Sequence, residues 1–329
     1  MLDGMATTEL PLTLHEAPIR GIQPGGGLCV GLEAAWGRLR RALLRRFFPA
    51  HVRRMAHVRR GDCPGCPHDI IDARDLKLVR NVCGHYILPE DDVFAWRDHT
   101  GLARAGLAEI VCFSLLLAAL ATPAVLLGAW VSPWWLLPLV VLLPAWGFLI
   151  AFFRDPDRTA PPQPDAVVSP ADGTVTDIEE VEEPDFPGGR ALRVSIFLSV
   201  FNVHVNRTPR AARVSRARYF PGAYLDARRG ASAARNEQFW IDFTDDQLGC
   251  PLRVKQIAGA VARRIVCWLK PGDRVRAGDR LGMIKFGSRT DLLVPLAAVA
   301  ETLVRVGEAV QGGSTVLLRL QPGPLPPPT

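Results

Sequence analysis

The chain has 329 residues, with 39 Lys and Arg against 33 Asp and Glu, which is room for one domain of about 200 residues plus further segments. Seven cysteines, an odd number without regular spacing, exclude a disulfide framework. The basic excess gathers near the N-terminus instead of covering the whole surface, and no nucleic-acid partner is expected.

Residues 1–36 contain Pro, Gly and Thr but no apolar run after a basic start, so they predict a disordered tail and not a secretory signal. The glycine run PGGGLCVG has no G-K-[ST] and no preceding strand, and carries no function as a phosphate loop. Residues 37–105 form a second segment. From Arg38 to Arg60 there are nine arginines and no acid, and Leu39, Leu43 and Phe47 recur at i, i+4 and i+8 between them. That spacing predicts a basic amphipathic helix suited to an anionic membrane surface. Farther on, DCPGCPHD and NVCGHY bring together Cys63, Cys66, Cys83 and His85. A C-x-x-C turn aims two thiolates at one tetrahedral ion and a second pair can close a structural zinc site, with His68 as a substitute ligand and ordinary reduced thiols as the alternative.

Residues 106–156 predict two transmembrane helices. Ile110 to Phe153 is an uncharged run of 44 residues, about twice what one helix needs to cross a bilayer core. The break belongs near Ser132 and Pro133, where Trp130, Trp134 and Trp135 suit a membrane–water interface. Arg104 precedes the pair and Arg154 and Arg158 follow it, so the positive-inside rule places both ends in the cytoplasm. The soluble parts are then expected in a reducing compartment.

Residues 157–323 change character, with short apolar stretches such as ALRVSIFLSVFNVHV and DRLGMIKFG between Gly, Pro and Asp. These predict a mainly β domain. WLKPGDRVRAGDRLG and VRVGEAVQGGSTVLL resemble the repeating hairpins of biotinyl and lipoyl carrier domains. EEVEEPD, residues 179–185, reads as a solvated acidic loop. Of seven histidines six lie at or before residue 99, so His204, in FNVHVNR, is the one histidine available to this domain for acid–base chemistry near neutral pH.

SPADG at 169–173, FNVHVNR at 201–207 and FGS at 286–288, with FFRDPDR at 152–158 and VKQIAGAVARRIVCW at 254–268, occur in the order found in phosphatidylserine decarboxylases. The chain resembles that family, close to its shorter bacterial and archaeal form, over roughly residues 110–320, and it carries an N-terminal extension outside the resemblance. The resemblance implies a proenzyme that cuts itself between Gly287 and Ser288 through Asp172, His204 and Ser288, and whose Ser288 becomes a covalent pyruvoyl group. It further implies a phospholipid substrate, large and small fragments that stay together, a place in the inner (cytoplasmic) membrane with the catalytic domain on the cytoplasmic side, and room for a homo-oligomer. The longer family form has a second histidine where this chain has Phe201.

Other readings remain at this stage. They are a decarboxylase for archaeal ether lipids, a membrane-tethered serine hydrolase using the same three residues, and a biotinyl-type carrier modified at Lys285. The hydrolase lacks a G-x-S-x-G elbow around Ser288. Lys285 reads as a strand residue and not as the tip of a turn.

Overall fold

The computed structural model describes residues 28–77, 79–226, 232–260, 264–285 and 287–321, together with residues 16, 17 and 19. The first helix, α1 (Leu28–Phe47), begins inside the segment expected to be tail, and Pro49 opens the second, α2 (Pro49–Val58). Trp36, Leu39, Leu43 and Phe47 form an exposed stripe on α1. Arg40 and Arg41 leave the basic face and pair with the buried Asp75, so the arginine run is only partly a solvated one.

Two apolar helices follow, α3 (Leu107–Trp130) and α4 (Leu139–Phe152), separated by an extended Ser132 and a single turn over Pro133–Leu136. With the helical turns that flank them, the spans Arg104–Trp130 and Pro133–Phe152 are long and apolar enough to cross a membrane, and few of their residues are buried by the rest of the chain. A helix pair of this composition, little buried in a core, suits a non-aqueous solvent. The pair folds back tightly because Gly128 has no side chain. A Cβ there would lie 2.5 Å from Leu136 Cδ2. Across the pair, Trp146 Nε1 donates to Ser114 Oγ at 2.9 Å.

The remainder is mainly β, arranged among the described residues in three antiparallel sheets. The largest has eight strands in the order Ala309–Val310, Gly173–Glu182, Arg190–Leu198, Ser288–Pro295, Pro251–Ala258, Gln238–Asp245, Ala212–Phe220 and Arg274–Val275. Ser288–Pro295 is therefore an interior strand, paired over its length with Arg190–Leu198 on one side and with Pro251–Ala258 on the other. Strand alternation gives it two different faces. Leu292 and Val294 join the main core with Ile196, Val254 and Ile241, while Arg289 and Asp291 pair with each other on the opposite face. The segments WLKPGDRVRAGDRLG and VRVGEAVQGGSTVLL put their short strands, Arg274–Val275 and Ala309–Val310, at opposite edges of this sheet.

A second sheet joins Val205–Arg207, Arg280–Lys285 and Arg264–Cys267. The third joins Ala166–Val168, Val316–Leu320 and Val299–Thr302. Asp155, buried just after α4, accepts from both Arg207 and Arg280, which ties the apolar hairpin, and with it FFRDPDR, to FNVHVNR in the second sheet.

The acidic stretch 179–185, expected as a solvated loop, has its first four residues in the strand Gly173–Glu182 and its later acids in ion pairs. Glu183 pairs with Arg253 and Lys255, and Asp185 with Arg253 and Arg218. These cations surround Trp240 on the outer sheet face. Once covered they need carboxylates, because an uncompensated buried charge is costly. Glu179 and Glu180 make ion pairs with Arg193 and Arg190 nearer the surface.

Candidate active site

Ser288 opens the interior strand, so its backbone is fixed on both sides, opposite Leu198 and Ala258. Its side chain is fully buried, and Oγ has no hydrogen-bond partner among the described residues. A buried hydroxyl without a partner costs free energy and marks a group held for another purpose. Gly287, just before it, has φ +70°. A Cβ at Gly287 would meet nothing within 4 Å. Glycine is thus required there by backbone conformation and not by lack of space, since the left-handed region penalises any residue with a Cβ.

His204 reaches this junction through the second sheet. Val205 pairs with Met283, and the strand from Arg280 leads to Lys285 and then to Gly287. The imidazole is wholly buried. Its Nδ1 lies 2.9 Å from the Asn202 carbonyl and its Nε2 lies 3.4 Å from the Gly287 amide N, which donates. This pair of partners defines one tautomer, with the proton on Nδ1 and the lone pair on Nε2. Burial pushes the imidazole pKa down to about 4, against the pull of the Asn202 carbonyl, and Arg154 adds to the shift. At neutral pH His204 is therefore an uncharged base whose Nε2 lone pair accepts from the Gly287 amide at the Gly287–Ser288 junction. The Phe152 ring, at the end of α4, covers it with centroids 4.2 Å apart.

Asp172 is held differently. Its carboxylate accepts from the Gly312 amide at 2.8 Å and from Arg158 at 2.9 Å. Burial raises its pKa despite both of these contacts. Among the described residues no hydrogen bond joins Asp172 to His204. The partner that fixes the imidazole tautomer is the Asn202 carbonyl. Phe201, where the longer family form has a histidine, is 73% exposed and packs edge-on against Phe148 of α4.

A buried amide relay ties these pieces together. Gln256 Nε2 donates to Asn206 Oδ1 at 2.8 Å, and Asn206 Nδ2 donates to Thr290 Oγ1 at 3.1 Å and to the Pro170 carbonyl at 3.4 Å. It links SPADG, the His204 strand and the Ser288 strand. Neither amide was singled out as a site residue from sequence, although Gln256, a polar residue inside the apolar stretch VKQIA, is the signal that could have pointed to it.

Lys285 is not placed like a carrier lysine. It ends a strand, is buried, and its Nζ contacts Glu33 Oε1 at 3.0 Å and Glu109.

The cysteine group is assembled in part. Cys63 and Cys66 are joined in a disulfide, in contrast to the reduced thiols expected, and Cys83 Sγ lies 3.0 Å from the Cys66 sulfur. All three sulfurs lie within 4.8 Å of one another, but His85 is not in the group. The backbone bridge between Arg60 and Tyr86 leaves His85 Nδ1 3.0 Å from the Gly61 carbonyl. His68 is likewise engaged, 3.2 Å from the Asp75 carbonyl.

Comparison with known proteins matches residues 146–318 to the phosphatidylserine decarboxylase family. The phosphatidylserine decarboxylase proenzyme of Rhodopirellula baltica is 42% identical over 253 residues, covering 75% of this chain and the whole of that protein. The proenzyme of Desulfotalea psychrophila is 45% identical over 54% of this chain and 81% of its own length. That of Symbiobacterium thermophilum is 49% identical over 53% of this chain and 79% of its own length.

Proposed function

The chain belongs to the phosphatidylserine decarboxylase family, and from that premise we infer that it is made as a proenzyme, cuts itself before Ser288, and then converts phosphatidylserine to phosphatidylethanolamine and carbon dioxide. The observation that carries the position of the cut is the buried, unpartnered Ser288 Oγ beside a glycine in the left-handed region and a neutral histidine.

In this reading His204 Nε2 takes the Ser288 hydroxyl proton as Oγ attacks the Gly287 carbonyl carbon. The C–N bond between Gly287 and Ser288 breaks, the nitrogen gains the proton, and an ester joins the two residues. Loss of the Ser288 Cα proton then expels the Gly287 carboxylate, and hydrolysis by one water releases the nitrogen as ammonia. The large fragment ends at Gly287 and the small one, of 42 residues, begins with a pyruvoyl group. Because the Ser288 strand is interior to the sheet, the two fragments stay associated.

The buried Ser288, with its unpartnered Oγ, suits conversion to such a group, which would supply a carbonyl to take up the substrate amine and draw off the electrons left by departing carbon dioxide. This chain's own part is to exclude water with Phe152, to hold the strand in register, and to keep His204 Nε2 in reach of a proton. Asp172 belongs to the site through Arg158 and the Gly312 turn and supports the SPADG loop that meets Asn206. The hairpin of α3 and α4 lies in the inner membrane, with the β domain on the cytoplasmic side. We read the two similar edge segments as a biotinyl-like duplicated hairpin.

For the extension we propose a structural zinc held, once the disulfide is reduced, by Cys63, Cys66 and Cys83, with His85 turned from the Gly61 carbonyl as fourth ligand.

The mass of the small fragment tests the central reading. A pyruvoyl start that blocks Edman sequencing is expected from the wild type, and one uncut chain from Ser288→Ala. His204→Ala should slow the cut by about 10²–10⁴. A small fragment beginning with ordinary serine would overturn the mechanism.

A further inference from the structure

The N-terminal extension reaches the strand that precedes the cleavage junction, Arg280–Lys285, through one buried carboxylate. Glu33 lies on α1, yet its Oε1 contacts Lys285 Nζ at 3.0 Å and Lys77 Nζ at 3.2 Å, and its Oε2 lies 3.5 Å from Arg264 Nη2. All four side chains are mostly or wholly withdrawn from solvent. Burial alone would raise the Glu33 pKa, but Lys77, Lys285 and Arg264 together bring it down to about 2, so the group is a carboxylate at any physiological pH.

Lys285 and Arg264 are direct partners in register at the ends of two adjacent strands. Two buried cations side by side repel strongly where water cannot screen them. Glu33 touches both of them. Glu109, in the first turn of α3, touches Lys285 as well.

The backbone consequence lies two residues downstream. On its C-terminal side the scissile junction is pinned by the pairing of Ser288 with Leu198 and Ala258. On its N-terminal side the last residue in a strand is Lys285, and Gly287 then turns with φ +70° to meet His204. We propose that Glu33 is a positioning residue for the cut before Ser288, acting through Lys285 to hold the turn at Gly287 against His204. The inference rests on the cleavage reading above and gives the N-terminal extension a part in maturation. With Glu109 in the same cluster, the cut waits until both α1 and the membrane hairpin are in place.

The test uses the full chain synthesised in vitro into vesicles of phosphatidylethanolamine and phosphatidylglycerol, with the first-order cutting rate measured on the protease-resistant, folded fraction. Glu33→Gln and Lys285→Met are each expected to slow cutting by about tenfold to a hundredfold, the scale on which a displacement remote from the chemistry acts. Lys285→Arg, which keeps the charge, should restore most of the rate. The pH at which cutting is half-maximal should stay where the wild type has it, because the base is unchanged. Folded Glu33→Gln or folded Lys285→Met cutting at the wild-type rate would overturn the proposal, as would Lys285→Arg cutting no faster than Lys285→Met. If Glu33→Gln does not fold, the two Lys285 variants decide. Failure of the cleavage reading is distinct: the wild type itself would then stay whole or be cut elsewhere.

Discussion

At the scale of single residues, the behaviour of His204 follows from its surroundings. An imidazole without water around it resists charging, and with its pKa near 4 in place of 6.5 it stays a base through neutral pH. The cutting rate should therefore be flat around neutrality and fall only as pH drops toward about 4, which a stopped-time assay across acid buffers would check. A half-maximal rate near 6.5 would mean a solvated histidine. The same shift governs stability. The unfolded chain takes up the proton first, so the stability held above pH 6.5 is lost as pH falls through the folded value of about 4. Unfolding of the Ser288→Ala chain against pH would show that loss. Because the Asn202 carbonyl, and not Asp172, holds Nδ1, Asp172→Asn is expected to slow cutting less than His204→Ala does. The sequence pointed to His204, Ser288 and Gly287 through short motifs that resemble the family's, and the structure brings His204 Nε2 to the Gly287 amide beside Ser288. The Asn202 backbone contact was not legible, since a carbonyl carries no side-chain signature.

At the scale of elements, α4 does two jobs. Most of it is an uncovered apolar helix, but its last residue, Phe152, lies on the His204 ring. Phe152→Ala should remove about 3–5 kcal/mol of stability, as large-to-small changes in a core do. It should also let water reach His204 and move the acid limit of cutting upward from about 4 toward 6.5, a shift that pH–rate profiles of the two chains would measure. The hairpin itself was legible from an uncharged run with Trp and Pro at its middle. Phe152 was not, because one more phenylalanine at the end of such a run looks like lipid-facing surface. Glu33 was hidden for the opposite reason. A single acid at the start of a helix reads as exposed, and its partners lie more than 200 residues away in the case of Lys285 and Arg264. The cysteine group was legible from C-x-x-C and Cys83, whereas the backbone bridge that turns His85 away was not. Metal analysis of the full chain purified under reducing conditions is expected to give one zinc per chain, and substitution of Cys63 and Cys66 by Ala should abolish it. Well under one equivalent in the wild type would remove zinc from the account.

At the scale of the whole molecule, one arginine fixes the join between hairpin and β domain. Arg154 donates to the Ala151 carbonyl at the end of α4 and to the Phe201 carbonyl of the β domain. With Arg104 on the other limb, the charge pattern is the basis for the proposed placement of both ends of the hairpin on the cytoplasmic side. Impermeant thiol reagents added to intact cells should label a cysteine placed at Ser132 and miss one placed at Asp226. Labelling at Asp226 would reverse the topology. The strand order was not legible, because eight short antiparallel strands have many permissible neighbours and only long-range pairing such as Ser288 with Ala258 selects one. On the membrane placement proposed above, the position of Phe152 at the end of α4 and over His204 has a consequence for how substrate would arrive. A site so placed would lie at the depth of the lipid headgroups, and a phospholipid would need only to lean its serine inward while its acyl chains stayed dissolved in the leaflet. Turnover would then obey the crowding of substrate in two dimensions, and what the enzyme would sense is the fraction of its neighbours that carry serine.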